Sequence, residues 1–258
     1  MNPSTFQSLP VAECFAGITA AIDANLPVVL KAPPGAGKTT GLPPELIRQN
    51  VVGDGQILLI QPRRLAARAA ASQLAHHLGT PVGQQVGYHV RFDKQVSAQT
   101  QLIAMTTGVL LRRMATDPLL ENVSCVILDE FHERSLEIDL ALGMLHRIRT
   151  TFRPELKLVV MSATLDPEPI VAFLGEARPF VSEGRSYPVE IRYSNVPTRA
   201  RLGEQVAAAL PKMLRWTTGH VLVFLPGVGE IRSTRRAIES LRLSDDLLIC
   251  ELFGSMSP

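Results

Sequence analysis

The chain has 258 residues, of which 46% are hydrophobic; it can bury the core of one large domain or two modest ones, and a disordered chain is excluded. The formal net charge is only +2, so nucleic-acid binding would require a local basic surface. Three widely spaced cysteines, the lack of an apolar run approaching the roughly 20 residues of a membrane span, and an N-terminus unlike a signal sequence predict a soluble cytoplasmic protein without a membrane partner.

Five short apolar runs indicate the strands of a parallel sheet. Because they are rich in Val, Ile and Leu without alternation, they are expected to be covered on both faces. They lie at residues 27–32, 56–61, 101–106, 125–130 and 157–163. Helical patterns between them cover residues 64–79, ending at Gly79, and residues 135–150. This alternation predicts an α/β fold with a mainly parallel sheet and helices on both faces.

The character of the sequence changes after residue 180. We predict a first domain over residues 1–183 and a linker over residues 184–200, with a weak strand signal at 189–193. A second alternation follows, with helices near 203–216 and 228–242 and apolar runs at 220–226 and 247–254. Open sheets usually have about 4 to 6 strands, and two strands cannot cover a sheet. We therefore expect residues 201–258 to be the beginning of a truncated second domain.

Residues 32–39, APPGAGKT, match the pattern of a phosphate-binding loop, with Ala where the stricter pattern has Gly. The chemistry requires inward-pointing backbone N–H groups, a cation for the outer phosphates and a hydroxyl for Mg²⁺. Lys38 and Thr39 supply the last two. A glycine turn with an accidental lysine is the alternative. The predicted nucleotide-binding residues are Gly35, Ala36, Gly37, Lys38, Thr39 and Thr40.

The segment LDEFHERS, residues 128–135, follows the fourth apolar run, where open parallel sheets bind their ligands. Asp129 is placed to hold Mg²⁺ across from Thr39, and Glu130 to orient and deprotonate an attacking water. An acidic pair at a helix start, stabilised by the helix dipole, is the alternative. Together with the phosphate loop, the pair predicts hydrolysis.

His132 extends this cluster, and a lone histidine is often structural. Alternatively, His132 senses the state of the γ-phosphate and transmits that change through a hydrogen bond to Ser162 or Thr164. Both hydroxyls lie in the MSAT segment at the end of the next apolar run. A simpler interpretation makes those hydroxyls caps of a helix that starts near Asp166.

Seven segments, in order, resemble the successive motifs of DEAH-box helicases of superfamily 2, most closely the bacterial HrpB type. They are APPGAGKTT, QPRRLAARAAA, TTGVLLRR, DEFHERS, MSATLD, GRSYPVEIRY and VLVFLPGVGEI, and they span nearly the whole chain. The resemblance implies two RecA-like P-loop NTPase domains, with ATP in the cleft between them and single-stranded nucleic acid, usually RNA, lying across both. It implies catalytic roles for Lys38, Glu130 and His132, Mg²⁺ ligation by Thr39 and Asp129, and coupling of hydrolysis to domain movement by Ser162 and Thr164.

The same resemblance implies that motifs of the first domain bind the nucleic-acid strand. Arginines, hydroxyls and backbone donors after strand ends suit sequence-independent phosphate contacts, and no aromatic platform for base stacking is expected near them. For the first two arginines, ordinary solvated charge at a helix start is the alternative, although the helix dipole disfavours cations there. The implied contact residues are Arg63, Arg64, Arg91, Thr106, Thr107 and Gly108.

In the family, arginines that reach the γ-phosphate come from later motifs, and the resemblance breaks off at LFGSMSP. We therefore expect an ATP-dependent helicase of which these residues alone bind nucleotide but hydrolyse it poorly. Two alternatives remain: a nucleotide-responsive nucleic-acid-binding module without helicase activity, and a P-loop NTPase that acts independently of nucleic acid.

Overall fold

The structure, a computed structural model, describes residues 8–184, 188–193, 199–241, 243 and 247–254. The chain divides into two compact units, Met1–Tyr187 and Pro188–Pro258. This boundary lies within the segment predicted as a linker, residues 184–200. The assignment of residues 1–183 and 201–258 to two helicase domains stays a prediction.

The first unit is built around an eight-stranded sheet, in which all neighbouring strands are parallel except β3 and β4. The order across the sheet is β4-β3-β5-β2-β6-β7-β1-β8. All five predicted strands are confirmed and lie in the interior of the sheet. The strands are β1 (Val28–Lys31), β2 (Gln56–Gln61), β3 (Val86–Val90), β4 (Asp93–Gln95), β5 (Leu102–Thr106), β6 (Val123–Leu128), β7 (Lys157–Ser162) and β8 (Arg178–Val181).

Helices cover both faces of this sheet, as the sequence predicted. Successive strand residues point to opposite faces, so Ile57 and Leu59 pack with α1, α2 and α3, whereas Leu58 and Ile60 pack with α4, α5 and α6. Short 3-10 helices cover Pro10–Cys14 and Phe131–Glu133. The helices are α1 (Phe15–Asp23), α2 (Lys38–Arg48), α3 (Arg64–Leu78), α4 (Thr107–Thr116), α5 (Leu136–Thr151) and α6 (Glu168–Leu174).

Both predicted helices of the first unit are present, and their ends follow from local chemistry. Helix α3 ends at Gly79, whose φ of 66° is the left-handed conformation that glycine favours at this position. Helix α5 begins after Ser135, whose side chain accepts a hydrogen bond from the Ile138 N–H at 3.2 Å. Among the helices of the described ranges, none is long and apolar enough to cross a membrane.

The second unit contains the two predicted helices, α7 (Leu202–Trp216) and α8 (Val228–Glu239), which pack on each other around Ala207, Leu210 and Ile238. The predicted strands are wrong. Residues 189–193, 220–226 and 247–254 form neither helix nor strand, and Phe224 and Leu248 are 87% and 88% exposed. A strand requires ladder hydrogen bonds from a neighbour, and an isolated pair is at best marginally stable.

The parallel arrangement positions the candidate site. Strands β1, β2, β5, β6 and β7 all end at the same edge of the sheet. The segments that follow them carry most of the residues singled out from the sequence: 32–39, 62–64, 106–108, 129–133 and 163–164. The fold therefore gathers residues that lie more than 100 positions apart in the chain.

Candidate nucleotide and nucleic-acid site

The loop between β1 and α2 has the geometry of an anion-binding turn. Gly35 and Gly37 have φ angles of 79° and 89°, a conformation that residues with a Cβ rarely adopt. In addition, a Cβ on Gly37 would lie 2.8 Å from Leu9 Cδ1. Gly37 is the N-cap of α2 and supplies no side-chain hydrogen bond, so the N–H groups of the first turn remain for a ligand. Ala36 differs, because it is buried and its N–H donates to Pro33 O at 3.2 Å.

Lys38 is held inside this loop. Its side chain is buried, and Nζ donates to the carbonyl oxygens of Ala32 at 2.7 Å and Pro33 at 3.4 Å. These bonds place an ammonium group under the loop, at the start of α2, where both the cation and the helix dipole favour an anion. Thr39 and Thr40 follow on the first turn and are partly exposed.

Asp129 lies directly after β6 and is 1% exposed. Its Oδ2 accepts hydrogen bonds from Thr39 Oγ1 at 2.5 Å and Gln61 Nε2 at 2.7 Å, and its Oδ1 accepts the N–H of Glu130 at 2.9 Å. Burial raises the pKa of the Asp129 carboxyl, and the hydrogen bond from Thr39 opposes that rise. Asp129 therefore joins the phosphate loop to the ends of β2 and β6.

The donor set at this point fits Mg²⁺ that arrives with a nucleotide. Within the described ranges no cluster of three or more His, Cys, Asp or Glu could hold a metal ion by itself. Thr39 and Asp129 provide two adjacent oxygen donors beside the phosphate loop. Mg²⁺ is usually held by one or two carboxylates together with substrate phosphates, so these residues suit the ion only when phosphates complete its shell.

Glu130 and His132 lie on the turn after β6. Glu130 adopts the left-handed conformation, with φ of 51°, and its Oε2 is 3.4 Å from His132 Nδ1. The same Nδ1 accepts the backbone N–H of Ala163 at 3.3 Å. His132 therefore bridges the turn after β6 and the end of β7.

The partner of His132 differs from the expected hydroxyls of the MSAT segment. Ser162 is buried, and its Oγ accepts the Leu165 N–H at 3.1 Å, while Thr164 is exposed. The two hydroxyls do not cap α6 either, because its N-cap is Pro167 and the Glu168 N–H donates to Asp166 Oδ1 at 3.1 Å. His132 contacts this segment through the backbone amide of Ala163.

Most of the residues predicted to contact nucleic acid meet in one groove of about 1000 Å³, beside α4 and the strands β3 and β4. We call it the α4 groove. Arg63 is not part of its lining; the side chain is 74% exposed and its Nη2 lies 3.2 Å from Glu133 Oε2. The predicted residues that line the groove are Arg64, Arg91, Thr106, Thr107 and Gly108.

An exposed aromatic residue lies in this groove, contrary to the expectation from the sequence. Phe92 is 88% exposed, has a left-handed φ of 68°, and its ring centroid is 4.7 Å from Arg91 Cζ. An exposed ring offers a face on which a base can stack. The signal in the sequence was the adjacent pair Arg91 and Phe92 within the polar segment YHVRFDKQ.

The turn that carries Phe92 is fastened to α3. Asp93 Oδ2 accepts hydrogen bonds from Arg68 on α3 and from the Tyr88 hydroxyl at 2.9 Å. The Arg68 hydrogen bond holds the pKa of Asp93 below its usual range. Neither Arg68 nor Asp93 was singled out from the sequence, because their pairing depends on how β3 and β4 lie against α3.

The chain just after β8 contacts the phosphate loop. The Ser182 N–H donates to Lys31 O at 2.9 Å, and its hydroxyl donates to Glu13 Oε1 at 2.6 Å. Gly184 has a φ of 67°, and a Cβ at this position would collide with Pro33. The end of the first unit therefore packs directly on the residues that precede the loop.

A phosphate loop between a central strand and a helix, faced by a buried acid two strands away, characterises a P-loop protein with a RecA-like fold. The family model of DEAD/DEAH box helicases matches residues 16–172. This chain belongs to that family.

Named relatives agree. The chain is 46% identical over 250 residues to "ATP-dependent RNA helicase HrpB" of Escherichia coli, an alignment that covers 97% of this chain and 31% of that protein. It is 38% identical over 241 residues to "ATP-dependent RNA helicase HrpA" of Escherichia coli, covering 92% of this chain and 18% of HrpA. A crystal structure of the Escherichia coli DEAH/RHA helicase HrpB superposes with a TM-score of 0.89 at 46% identity, covering 97% of this chain and 32% of that one.

Proposed function

We propose that this chain is the nucleotide-binding part of an ATP-dependent RNA helicase, in which ATP hydrolysis is coupled to movement along a single strand. The observation that carries the proposal is the meeting of Thr39, Gln61 and Asp129, which links the phosphate loop to the segment that begins QPRR. The helicase activity and the RNA ligand in this proposal are taken from the names of the relatives. Because the chain spans 31% of HrpB and 18% of HrpA, the activity of a whole protein is itself proposed.

The nucleotide is held by the phosphate loop in this proposal. The N–H groups of the first turn of α2 and the Lys38 ammonium bind the outer phosphates. Thr39 and Asp129 hold Mg²⁺, which neutralises phosphate charge when bound. Glu130 orients the attacking water and accepts its proton, since it lies next to Asp129 and its side chain is partly exposed.

The single strand lies along the predicted contact residues, with its phosphates on Arg64, Arg91 and the first turn of α4. Phe92 adds a stacking face. Because these groups are cations, hydroxyls and one ring, binding is expected to be insensitive to sequence. RNA, not DNA, is taken from the names of the relatives.

Coupling between the two ligands is assigned to His132, Ser162 and Thr164. His132 contacts Glu130, which faces the reacting phosphate, and the Ala163 amide, which lies between the other two residues. A change at the γ-phosphate therefore has a short path to the end of β7. The identity of the second unit as the beginning of a second RecA-like domain, a cytoplasmic location and slow hydrolysis by these residues alone belong to the same proposal.

The test measures two affinities of the 258-residue chain: for a fluorescent ATP analogue with Mg²⁺ and for a labelled single-stranded RNA. We expect Lys38→Ala to abolish nucleotide binding and to preserve RNA binding without nucleotide, and Arg91→Ala to weaken RNA binding and to preserve nucleotide binding. Arg147→Ala, an exposed arginine on α5, is the control for lost positive charge. A wild-type chain that binds nucleotide but no RNA would support the nucleic-acid-independent NTPase instead.

A further inference from the structure

Gln61 is a buried polar residue at the ligand edge of the sheet, and it has no assigned role in binding nucleotide or RNA. It is the last residue of β2 and is 2% exposed. The residues before it, 57–60, have the apolar sequence ILLI and are buried. Among the described residues, the Gln61 side chain has one hydrogen-bond partner, the Asp129 carboxylate. Burying an amide at the end of an apolar strand costs free energy unless such a bond is made.

The main chain already brings Gln61 and Asp129 side by side. The Asp129 N–H donates to Ile60 O at 2.9 Å, which continues the pairing of β2 with β6 past Leu128. On its other side β2 pairs with β5, where Gln61 lies opposite Thr106. The side-chain hydrogen bond is therefore not needed to join the strands. What it determines is the direction in which the Asp129 carboxylate points.

Three donors hold the Asp129 carboxylate, and they differ in their dependence on a ligand. The Thr39 hydroxyl is itself a proposed Mg²⁺ ligand, so it serves the ion and the carboxylate together. The Glu130 N–H lies on the turn after β6, at a left-handed φ of 51°. The Gln61 amide donates at 2.7 Å from a strand inside the sheet. Gln61 is therefore the donor whose position depends neither on the phosphate loop nor on the turn.

The surroundings of Gln61 hold its side chain in one orientation. Strand β2 lies between β5 and β6, and the side chain is buried there. Pro62 follows, and a residue before proline is restricted to extended backbone conformations, which suit the end of a strand. An ionised carboxylate only accepts hydrogen bonds, so the amide nitrogen of Gln61 faces Asp129. A residue that orients a metal ligand requires this kind of fixed donor.

A purely structural role for the pair is the alternative, and the composition of the two strands weighs against it. Replacing both members of a buried polar pair by apolar residues of similar shape is often neutral or stabilising. Strands β2 and β6 are apolar in their buried middles, with ILLI at residues 57–60 and CVIL at residues 125–128. Gln61 and Asp129 follow these runs at the point where both strands reach the phosphate loop. A metal ligand at this point explains a polar pair that stability alone does not require.

We propose that Gln61 is a positioning residue of the Mg²⁺ site, which holds the Asp129 carboxylate in the orientation that binds the ion. This inference rests on the proposed function, because it requires that Thr39 and Asp129 hold Mg²⁺ beside a nucleotide. Gln61 acts through Asp129 and contributes no ligand of its own. Removing a residue that hydrogen-bonds a metal ligand typically costs about 10- to 100-fold in metal affinity.

The first experiment separates binding of the ion from binding of the phosphates. Affinity for a fluorescent ATP analogue is measured at increasing Mg²⁺ concentrations and in EDTA, for the wild-type chain and for Gln61→Met, which keeps the length of the side chain without a donor. We expect equal affinities in EDTA, because the phosphate loop and Lys38 are unchanged. The gain in affinity on adding Mg²⁺ should be smaller in the variant by about 10-fold or more.

The second experiment measures the ion directly, with Mn²⁺ as the probe. Binding of Mn²⁺ to the complex of the chain with ADP is followed by electron paramagnetic resonance, and its dissociation constant should rise by about 10-fold or more in Gln61→Met. Gln56→Met is the matched control, because it removes a glutamine from the first position of the same strand, where the side chain contacts Arg113. It should change neither the gain with Mg²⁺ nor the Mn²⁺ dissociation constant.

Two further variants distinguish positioning from damage to the fold, and thermal midpoints show that each variant is folded. Gln61→Asn keeps an amide but shortens its reach by one methylene, so it should lose the gain with Mg²⁺ as Gln61→Met does. In an Asp129→Asn background, Gln61→Met should cause no further loss of nucleotide affinity, because both residues act through one carboxylate. An equal loss in both backgrounds would show that Gln61 acts elsewhere and would overturn the inference.

The remaining outcomes separate the inference from the proposed function. If Gln61→Met keeps the wild-type gain with Mg²⁺ while Lys38→Ala abolishes nucleotide binding, the inference is overturned and the proposed function stands. If Gln61→Met weakens binding equally in EDTA and in Mg²⁺, Gln61 supports the phosphate loop and not the ion, which also overturns the inference. If the wild-type chain binds no nucleotide under any of these conditions, both are overturned.

Discussion

The hydroxyl of Thr39 donates to the carboxylate of Asp129 at 2.5 Å, across 90 positions of the sequence. The same carboxylate oxygen accepts a hydrogen bond from Gln61. Three segments that end three different strands therefore converge on one buried carboxylate. The charge at Asp129 is therefore expected to act on the stability of the fold and on the proposed binding of Mg²⁺ with opposite signs.

Asp129→Asn is expected to stabilise the fold at neutral pH and to abolish Mg²⁺-dependent nucleotide binding. Burial raises the folded-state pKa of Asp129 above its unfolded value of 3.8, so its contribution to stability is fully present below that value and declines as pH rises through the folded-state pKa. The thermal midpoint of the variant should exceed that of the wild type by a margin that grows with pH. Midpoints measured between about pH 4 and pH 8, and nucleotide titrations with Mg²⁺ or EDTA, check both effects.

The control for this change is Asp54→Asn, which removes the charge of an exposed aspartate. A margin that shrinks as pH rises would contradict the expected effect of burying the Asp129 charge. Nucleotide affinity of Asp129→Asn that still depends on Mg²⁺ would place the metal elsewhere.

Glu130→Gln should preserve nucleotide binding and reduce hydrolysis by about 100-fold or more, the usual loss on removing a general base. The substitution retains shape and hydrogen-bonding capacity, so the left-handed turn should persist. Single-turnover hydrolysis of labelled ATP, with and without RNA, suits the slow reaction expected of this chain. Glu168→Gln, an exposed change on α6, is the matched control, and equal rates in both variants would remove Glu130 from the catalytic role.

Phe92→Ala should weaken RNA binding by about 1–3 kcal/mol, the typical contribution of one base stacked on an aromatic ring. The ring is 88% exposed, so thermal stability should hardly change. Fluorescence anisotropy with a labelled single strand measures the loss. Phe152→Ala removes a ring that is 60% exposed at the end of α5, and it should leave the affinity unchanged. A Phe92→Tyr variant should bind as the wild type does; failure to do so would argue against stacking.

Asp93→Asn should release the turn that carries Arg91 and Phe92, and so reduce RNA affinity without affecting nucleotide affinity. Hydrogen bonding to Arg68 lowers the pKa of Asp93, so the stability it provides is present above the unfolded value of 3.8 and is lost as pH falls through the folded-state pKa. Hydrogen exchange of the β3–β4 segment measures the release. Unaltered exchange together with unaltered RNA affinity would show that Asp93 does not position the turn.

The interior strands of the sheet could be predicted because helices cover both of their faces. Their sequences are therefore continuous apolar runs, as in β2 and β6. The edge strands β4 and β8, and β3 next to the edge, lack this signal, since DKQ, RPFV and VGYHV contain polar residues or proline. In the second unit, apolar runs of the same kind gave wrong predictions, because composition does not reveal whether a strand has a neighbour.

The candidate site likewise contains residues that a local sequence pattern predicts and contacts that it does not predict. The residues of the phosphate loop are consecutive in the chain, and so are Asp129 and Glu130. Local sequence patterns were therefore sufficient to select both groups. The contact of Gln61 with Asp129 exists because β2 lies beside β6, and that of His132 with Ala163 because β6 lies beside β7. Strand order determines such pairs, and no local pattern in a single sequence specifies it.

The packing of Gly184 on Pro33 has a mechanical consequence. The backbone leaving β8 is fixed by two hydrogen bonds of Ser182, and there is no space for a side chain between it and the residues before the phosphate loop. A side chain at position 184 would therefore displace Pro33, which belongs to the loop itself. The loop proposed to bind phosphates is thus also the surface on which the chain leaving β8 packs.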